Sequence, residues 1–200
     1  MKPFTAIVLA GGASSRMGSD KANLRFGNET LIERVVRTLT PIATEIVVVS
    51  GAHVKLPPLS DARIVVDDVP SQGPVAGILY GIRACESELV FVCGCDHPFL
   101  EPELVRLLVR RADGLDGAVP IVGGVRQPLI AAYHRRVGSI AQTLLARGEH
   151  RAWALLDRAR LCEVTEAELA AADPSGLSFL DVDTPEAYRR ALALGEAREK

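Results

Sequence analysis

Five short apolar runs, rich in β-branched residues, recur along the chain, and stretches with helical spacing separate several of them. The runs are Ala6–Leu9, Ile46–Val49, Ile64–Val66, Leu89–Cys93 and Ala118–Val122. Strands that alternate with helices in this way form parallel sheets, because the crossover between two parallel strands is long enough to hold a helix. The alternation therefore predicts the α/β class, with a mostly parallel sheet covered by helices.

Apolar spacing and terminating residues indicate the helices. Between the first two strands, the apolar residues of Leu31–Leu39 share one face of a helix that begins near Thr30. Pro41 ends this helix, because proline cannot continue it. Further helices are predicted for Ile78–Ala84, from Glu101 onward, for Val137–Leu145, Thr165–Ala172 and Pro185–Leu194, and a further strand is predicted for Gln127–Tyr133.

Length and composition describe one ordinary globular domain. The 200 residues are 48% hydrophobic and 24% charged, so the chain has enough apolar material for a sizeable core. It contains no internal repeat and no linker rich in glycine, serine or proline. We therefore expect a single domain over 1–194, followed by a frayed, charged tail over 195–200.

Charge and hydropathy argue against several classes of partner. The formal net charge of −2 excludes a broadly basic surface, so we expect no nucleic-acid partner, and a local cluster of cations must hold any phosphate. No apolar run approaches the roughly 18 to 20 residues of a bilayer span, and the first residues lack the pattern of a secretion signal. We expect no membrane contact and a cytoplasmic location.

The four cysteines are few and irregularly spaced, which does not suit a disulfide framework. Cys85, Cys93, Cys95 and Cys162 are therefore expected to be reduced thiols. A metal or redox role for Cys93 and Cys95 is the alternative, but no second pair accompanies them. We expect both to be small buried core residues.

A glycine-rich loop follows the first strand and carries two cations. In Leu9-Ala-Gly-Gly-Ala-Ser-Ser-Arg-Met-Gly-Ser-Asp-Lys21, the glycines let the backbone approach a ligand closely. Arg16 and Lys21 can then reach phosphates, with Arg25 as a further nearby cation. The loop is neither a dinucleotide fingerprint nor a P-loop, since it lacks the glycine spacing of one and the Gly-Lys-Ser/Thr of the other. We favour nucleoside triphosphate binding over the alternative, a plain strand-to-helix turn with exposed basic residues.

A second candidate segment follows the third strand. Asp67-Asp68 leads into a glycine-containing turn, in which Gly73 and Gly77 leave room for a planar ring or a sugar. An aspartate here could accept a hydrogen bond from a ribose or a base, or could simply form a turn. Ligands bind beyond the carboxyl ends of strands in open α/β sheets, and this favours the functional interpretation.

Two further carboxylates are candidate metal ligands. Asp96 follows the apolar strand Leu89–Cys93, and Mg²⁺ prefers such oxygen donors while keeping several waters. Alternation along a strand end places Asp181 and Asp183 on one face, so Asp183 could join Asp96 on the metal. The competing interpretation gives Asp96, and Asp183 or Thr184, helix-capping roles. Near Asp183 the two interpretations are compatible, because Thr184 can cap the helix while Asp183 binds the metal.

Taken together, these motifs resemble the molybdenum cofactor guanylyltransferase family over nearly the whole chain. The residues that carry the resemblance are Leu9–Gly12, Arg16-Met-Gly18, Lys21, Gly73–Gly77, Cys95–Pro98, Gln127–Leu129 and Asp181–Pro185. The resemblance implies a Rossmann-like, three-layer α/β/α fold of the nucleotide-diphospho-sugar transferase type. It also implies transfer of GMP from GTP to the molybdopterin cofactor, release of pyrophosphate and dependence on Mg²⁺. Molybdopterin-inserting proteins and molybdoenzyme chaperones are the further partners that it suggests.

The resemblance also implies roles for individual residues. Those expected to bind the nucleotide are Leu9, Ala10, Gly11, Gly12, Lys21, Asp67 and Asp96, with Asp68 as the alternative to Asp67. Arg16, Lys21 and Asp96 are the expected catalytic residues. Asp96 and Asp183 are the expected metal ligands, and the pterin is expected to lie against Gln127, Pro128 and Asp181.

Three residues in two segments depart from the pattern of the family. Asp181 and Asp183 stand where the family usually has asparagines, and His97 stands where it usually has methionine or a similar residue. The aspartates resemble those of cytidylyltransferases, so a CTP-dependent molybdopterin cytidylyltransferase or a sugar-phosphate nucleotidyltransferase remains the alternative. We take His97 as a neighbour of the site, because nucleotidyl transfer depends mainly on positioning and charge neutralisation.

Overall fold

The computed structural model describes residues 2–11, 21–67 and 73–198. Its strands are β1 (Phe4–Leu9), β2 (Arg25–Phe26), β3 (Glu29–Thr30), β4 (Glu45–Gly51), β5 (Arg63–Asp67), β6 (Leu89–Gly94), β7 (Gly117–Val122), β8 (Val125–Arg126), β9 (Ile130–His134) and β10 (Leu161–Val164). Its helices are α1 (Leu31–Leu39), α2 (Gly73–Ala84), α3 (Pro102–Arg111), α4 (Val137–Ala146), α5 (Trp153–Leu156), α6 (Glu166–Ala172) and α7 (Pro185–Arg198). Short 3₁₀ turns cover Lys21–Asn23 and Leu177–Phe179.

The central sheet is mostly parallel, as the sequence predicts. Its strands lie in the order β10-β7-β9-β6-β1-β4-β5, and β8 pairs with β7. The pairs β1 with β4, β1 with β6, β4 with β5, and β10 with β7 are parallel, whereas β9 runs antiparallel to both β6 and β7. The two-residue strands β2 and β3 form a separate hairpin.

Helices cover both faces of the sheet, which confirms the three-layer architecture. On one face, Phe4, Ala6 and Val8 of β1 pack with buried residues of α1, α3 and α6. On the other face, Ile7 packs with buried residues of α2, α4 and α5. The central strand is therefore buried on both sides, which explains why its sequence is almost continuously apolar.

Local capping agrees with the sequence. The Thr30 hydroxyl accepts a hydrogen bond from Glu33 N at 3.4 Å, and Thr30 N donates to Glu33 Oε2 at 2.7 Å, so α1 begins with a capping box. Pro102 stands in the first turn of α3, where its missing N–H costs no helical hydrogen bond. The Thr184 hydroxyl accepts from Ala187 N at 3.1 Å at the start of α7, as predicted.

Cys93 and Cys95 lie in the hydrophobic core, as predicted. Cys93 is fully buried on β6, and its burial raises the pKa of the thiol well above the ordinary value. A thiol in this environment stays protonated and unreactive near neutral pH.

Several elements differ from the sequence predictions. Helix α2 begins at Gly73 and not at Ile78, so the segment predicted as a glycine-containing turn is the first part of the helix. The strand predicted over Gln127–Tyr133 begins only at Ile130, because Gln127 and its neighbours form a turn closed by a hydrogen bond from Ile130 N to Gln127 O. Strand β10 was not predicted, since it has only four residues and three of them are partly or fully exposed. Asp181–Asp183 is not part of a strand, although Val182 is buried while Asp181 is exposed.

The predicted frayed tail is wrong for residues 195–198, because α7 continues to Arg198. Gly195 is buried against Phe26, and a Cβ at this position would lie 2.8 Å from the ring. Arg198 donates a hydrogen bond to Glu101 at 3.1 Å. These contacts hold the last turns of the helix, and the charged sequence does not reveal them.

The packing of α2 on β1 predicts a stability effect at Gly81. A Cβ at this buried glycine would lie 2.5 Å from Cγ2 of Ile7, which is itself fully buried. Overpacking costs about 1–3 kcal/mol, and the better helix propensity of alanine offsets up to about 1 kcal/mol of it. We expect Gly81→Ala to lower the free energy of unfolding, measured by urea denaturation.

Gly138→Ala is the matched comparison for this substitution. Its new methyl group would come no closer than 3.2 Å, to one methyl of Ile82. We expect it to be clearly milder, and equal effects at the two glycines would contradict the packing argument.

Candidate active site

The candidate site lies at the carboxyl ends of β1 and β6, where three segments are joined by backbone hydrogen bonds. Cys95 N donates to Leu9 O at 3.1 Å, so the loop after β6 continues alongside the end of β1. Val182 N donates to Asp96 O at 3.0 Å and fixes the segment before α7 to the same loop. Val182 is fully buried, so this junction is part of the packed structure.

Lys21 binds two carboxylates in this junction. Its Nζ donates to Asp96 Oδ2 at 3.2 Å and also to Asp183 Oδ1. The side chains of Lys21 and Asp96 are each about four-fifths buried, whereas that of Asp183 is 45% exposed. The structure therefore brings together three of the predicted site residues, which are far apart in the sequence.

The pKa values of these groups are consistent with a charged cluster. Burial alone would lower the pKa of Lys21, but its hydrogen bonds with Asp183 and Asp96 and their negative charges raise it overall. Burial opposes ionisation of Asp183, but the contact with Lys21 lowers its pKa overall. Partial burial and the charge of Asp183 raise the pKa of Asp181. An ammonium ion that bridges two carboxylates is the expected form of this group near neutral pH.

Gly94 is a site residue that the sequence analysis missed. A Cβ at this position would overlap Oδ1 of Asp96, so only glycine leaves room for the carboxylate as the structure places it. Gly94 is the last residue of β6 and has no positive φ. Its role depends on where the Asp96 side chain turns, and nothing in the sequence indicates this direction.

His97 is adjacent to the carboxylates, as predicted. Its Nε2 lies 3.7 Å from Asp96 Oδ1, which is too far for a hydrogen bond. Its Nδ1 is buried, and no described residue forms a hydrogen bond with it. His97 is therefore a neighbour of the two carboxylates that bind Lys21.

The first loop is described only at its two ends. Leu9 and Ala10 are half-buried or buried, Gly11 is exposed, and a Cβ on Gly11 would approach Gly51 N at 3.1 Å. Ala10 N donates to Val49 O at 2.8 Å. Gly12 and Arg16 lie outside the described residues, so their predicted roles stay predictions. Arg25 is exposed and donates to Asn28 O at 2.9 Å, apart from the Lys21 cluster.

The structure changes the interpretation of Gly73 and Gly77. A Cβ on Gly73, whose φ is +69°, would lie 2.9 Å from His150 O, and a Cβ on Gly77 would lie 2.9 Å from Cδ2 of Leu9. The space beside both glycines is occupied by the protein itself, and not by a ring or a sugar as predicted. Asp67 ends β5, two strands from β1, while Asp68 lies outside the described residues.

The predicted pterin-binding residues lie at the same edge of the sheet as Asp96. Strand β9 is antiparallel to β6, and its first residue, Ile130, pairs with Cys93 near the end of β6. The turn that contains Gln127 and Pro128 must therefore lie beyond the carboxyl end of β6. Gln127 Nε2 donates to Val125 O at 3.2 Å, and Pro128 O accepts from the buried Tyr133 hydroxyl at 2.8 Å.

A shallow depression that the sequence does not indicate lies next to this turn. It has a volume of about 400 Å³ and is lined by Glu149, Arg151, Trp153, Ala154, Asp157 and Arg158. The guanidinium of Arg126, the residue before Gln127, lies 5.6 Å from the centre of the Trp153 ring. Arg126 also donates to Asp157 at 2.9 Å. The depression therefore combines an exposed indole with both acidic and basic side chains.

Comparison with known proteins assigns the family. Residues 6–164 match the model of the MobA-like NTP transferase domain. The chain belongs to the MobA-like NTP transferase family. It is also 34% identical, over 196 residues and 96% of both chains, to a Bacillus cereus protein named probable molybdenum cofactor guanylyltransferase. The chain is therefore a nucleotidyltransferase by family, as the motifs predict.

Solved structures of MobA-like and related transferases share the fold. The molybdopterin-guanine dinucleotide biosynthesis protein A of Archaeoglobus fulgidus superposes with a TM-score of 0.83 at 22% identity, covering 97% of this chain and 100% of that one. The 2-C-methyl-D-erythritol 4-phosphate cytidylyltransferase of Thermus thermophilus gives a TM-score of 0.73 at 18% identity, covering 98% of this chain and 100% of that one. At these identities the likeness shows the fold alone.

The described part of this MobA-like chain contains neither a metal cage of side chains nor a membrane-spanning helix. Within residues 2–11, 21–67 and 73–198, no group of three or more histidine, cysteine, aspartate or glutamate side chains forms a metal cage. Mg²⁺ does not require such a cage, since one or two carboxylates together with waters and substrate phosphates hold it. Within the same residues, no helix is long and apolar enough to cross a membrane.

The close approach of Gly73 to His150 predicts that the stability of the protein depends on glycine at the first residue of α2. In Gly73→Ala, the left-handed backbone costs about 1–2 kcal/mol, and the contact with His150 O adds to this cost. We expect a lower free energy of unfolding in chemical denaturation. Gly114→Ala is the matched control, because its φ is +77° and a Cβ there meets no atom of the described residues within 4 Å. If the two variants lose equal stability, the contact with His150 carries no cost.

Proposed function

We propose that the chain transfers GMP from GTP to the phosphate of molybdopterin and releases pyrophosphate, with Mg²⁺ as the metal. The observation that carries the proposal is the convergence of Lys21, Asp96 and Asp183 at one point beyond β1 and β6. This is the position where open α/β sheets bind their ligands. The family match and the name of the Bacillus cereus relative support the transferase class and the guanylyl group.

In this proposal the first loop holds the triphosphate. Ala10 N–H is already bonded to Val49 O, so the backbone donors for the phosphates come from residues after Ala10. Leu9 to Gly12 would contact the nucleotide, Arg16 and Lys21 would neutralise its phosphates, and Asp67 would accept from its ribose or base. Catalysis then depends on aligning the α-phosphorus and stabilising charge, without a covalent enzyme intermediate.

Asp96 and Asp183 fit the requirements of a magnesium site. Both present a carboxylate oxygen to the same ammonium nitrogen, so both are directed at one point. When bound there, the metal would supply charge neutralisation for the phosphates. Residues of the chain position the two carboxylates. Gly94 leaves room for the Asp96 carboxylate, and the hydrogen bond of Val182 N to Asp96 O holds the segment of Asp183 beside it.

The acceptor phosphate would enter beside the turn of Gln127 and Pro128. Beta pairing places this turn at the same edge of the sheet as Asp96, and Asp181 stands next to the Val182 junction. From this side an acceptor oxygen can attack the α-phosphorus opposite the leaving pyrophosphate. In-line transfer requires the attacking acceptor oxygen and the leaving pyrophosphate oxygen on opposite sides of the α-phosphorus.

A pyrophosphate-release assay tests the proposal. Purified protein with Mg²⁺ is given GTP or CTP, each with molybdopterin or a sugar phosphate as acceptor. We expect release with GTP and molybdopterin. Release with CTP or with a sugar phosphate in its place would instead support the alternative that the two aspartates favour.

The charged cluster predicts large losses of activity from single substitutions. We expect Asp96→Ala and Lys21→Ala each to reduce kcat about a hundredfold or more, because each removes a preorganised charge at the reacting phosphates. Lys55→Ala is the control: its exposed side chain lies near the Lys21 turn, since Asn23 donates to Lys55 O at 2.7 Å. An unchanged rate in Lys21→Ala would transfer the phosphate contact to another cation.

Gly94→Ala tests the position of Asp96 without changing any charge. The added methyl group must push the carboxylate aside, and displacement of a reacting group by about 1 Å can cost about a hundredfold in rate. We expect kcat to fall roughly 10- to 100-fold while the circular dichroism spectrum stays native. Wild-type kcat in a folded Gly94→Ala protein would show that Asp96 need not occupy this position.

A further inference from the structure

Lys21 occupies the point at which the two carboxylates would hold a metal. Its ammonium donates hydrogen bonds to both Asp96 and Asp183. A Mg²⁺ ion would bind carboxylate oxygens directly, at about 2.0–2.1 Å. The ammonium and the metal therefore compete for the same two oxygens. Lys21 must therefore leave the two carboxylates when a metal binds there.

Contacts of the fold hold the backbone of both carboxylate residues, whereas Lys21 reaches them on a long, flexible side chain. Asp96 lies on a loop held by two backbone hydrogen bonds. Cys95 N donates to Leu9 O, and Val182 N donates to the carbonyl oxygen of Asp96. Asp183 follows the fully buried Val182 and precedes the Thr184 cap of α7. Lys21 reaches them from a 3₁₀ turn through a flexible four-carbon stem with three rotatable donors.

The charges of the cluster also favour exchange over joint occupancy. Two carboxylates and one ammonium carry a net charge of about −1, so a divalent cation gains less here than at the two carboxylates alone. A nucleoside triphosphate offers the ammonium other anionic oxygens, and lysine is a regular phosphate ligand. Phosphates that attract Lys21 would free both carboxylates.

We propose that Lys21 is an exchangeable internal counter-ion, which blocks the metal site in the nucleotide-free protein and leaves it when triphosphate binds. This inference rests on the proposed function for the assignment of Asp96 and Asp183 to the metal. Because coupling between two ligands is reciprocal, nucleotide then raises the affinity for metal and metal raises the affinity for nucleotide by the same factor. Lys21 is thus a source of cooperativity in addition to a phosphate contact.

Mn²⁺ binding to the nucleotide-free protein, followed by electron paramagnetic resonance of the free ion, tests the inference. We expect weak binding to the wild type and at least roughly tenfold tighter binding to Lys21→Met, since the competing charge is removed. Asp183→Asn in the Lys21→Met background should reverse the gain. Lys21→Arg, which keeps the charge, should also bind Mn²⁺ more weakly than Lys21→Met.

Lys55→Met is the matched control for net charge, because it removes an exposed ammonium near the same turn. It should bind Mn²⁺ like the wild type. Equal tightening in Lys55→Met and Lys21→Met, or no tightening in Lys21→Met, would overturn the inference. Lys21→Gln provides a second uncharged variant if Lys21→Met melts too low to be measured.

A second arm measures the coupling directly. A non-hydrolysable GTP analogue should increase Mn²⁺ affinity more in the wild type than in Lys21→Met, after subtraction of the Mn²⁺ bound by the analogue in solution. The nucleotide-free arm involves neither nucleotide nor acceptor. It therefore gives its answer even if the pyrophosphate assay shows another base, another acceptor or no transfer.

Discussion

The position of β1 between β4 and β6 is the constraint on which the rest of the structure depends. Parallel pairing on both sides places the ends of three strands at one edge of the sheet. The pairing continues beyond the strands, because Ala10 N bonds Val49 O and Cys95 N bonds Leu9 O. The loops after β1 and β6 therefore start at fixed points, and Lys21 can reach Asp96 across 75 residues of sequence.

The sequence predicts this framework well because apolar runs must be buried. Phe4–Leu9 and Leu89–Gly94 are almost entirely buried, and a run that is apolar at every position suits only the middle of a covered sheet. The prediction fails where short-range pattern and tertiary contact disagree. Strand β10 is short and partly exposed, and the last turn of α7 is charged but is held by Phe26 and Glu101.

The candidate site shows the same limit. Asp96 and Asp183 were found because carboxylates after apolar segments are visible in the sequence, and their convergence on one ammonium agrees with the prediction. Strand alternation does not explain the position of Asp183, because 181–183 is not a strand. The buried Val182, whose N–H donates to Asp96 O, holds this segment instead. The surroundings of Gly73 and Gly77 are not visible in the sequence, because the atoms beside them belong to His150 and Leu9 of other segments. The role of Gly94 is hidden for a different reason, since it depends on the direction of the nearby Asp96 side chain.

Asp183 changes the electrostatic balance of the cluster. Asparagine is the usual residue at this position in the molybdenum cofactor guanylyltransferase family that the motifs resemble. With asparagine here, Lys21 would neutralise Asp96 alone, and the pair would carry no net charge. With aspartate, a second carboxylate shares the same ammonium, and the cluster keeps about one negative charge in the absence of metal. A site with this residual charge attracts a divalent cation more strongly than a neutral pair would. The aspartate therefore bears directly on the coupling of metal and nucleotide that we propose.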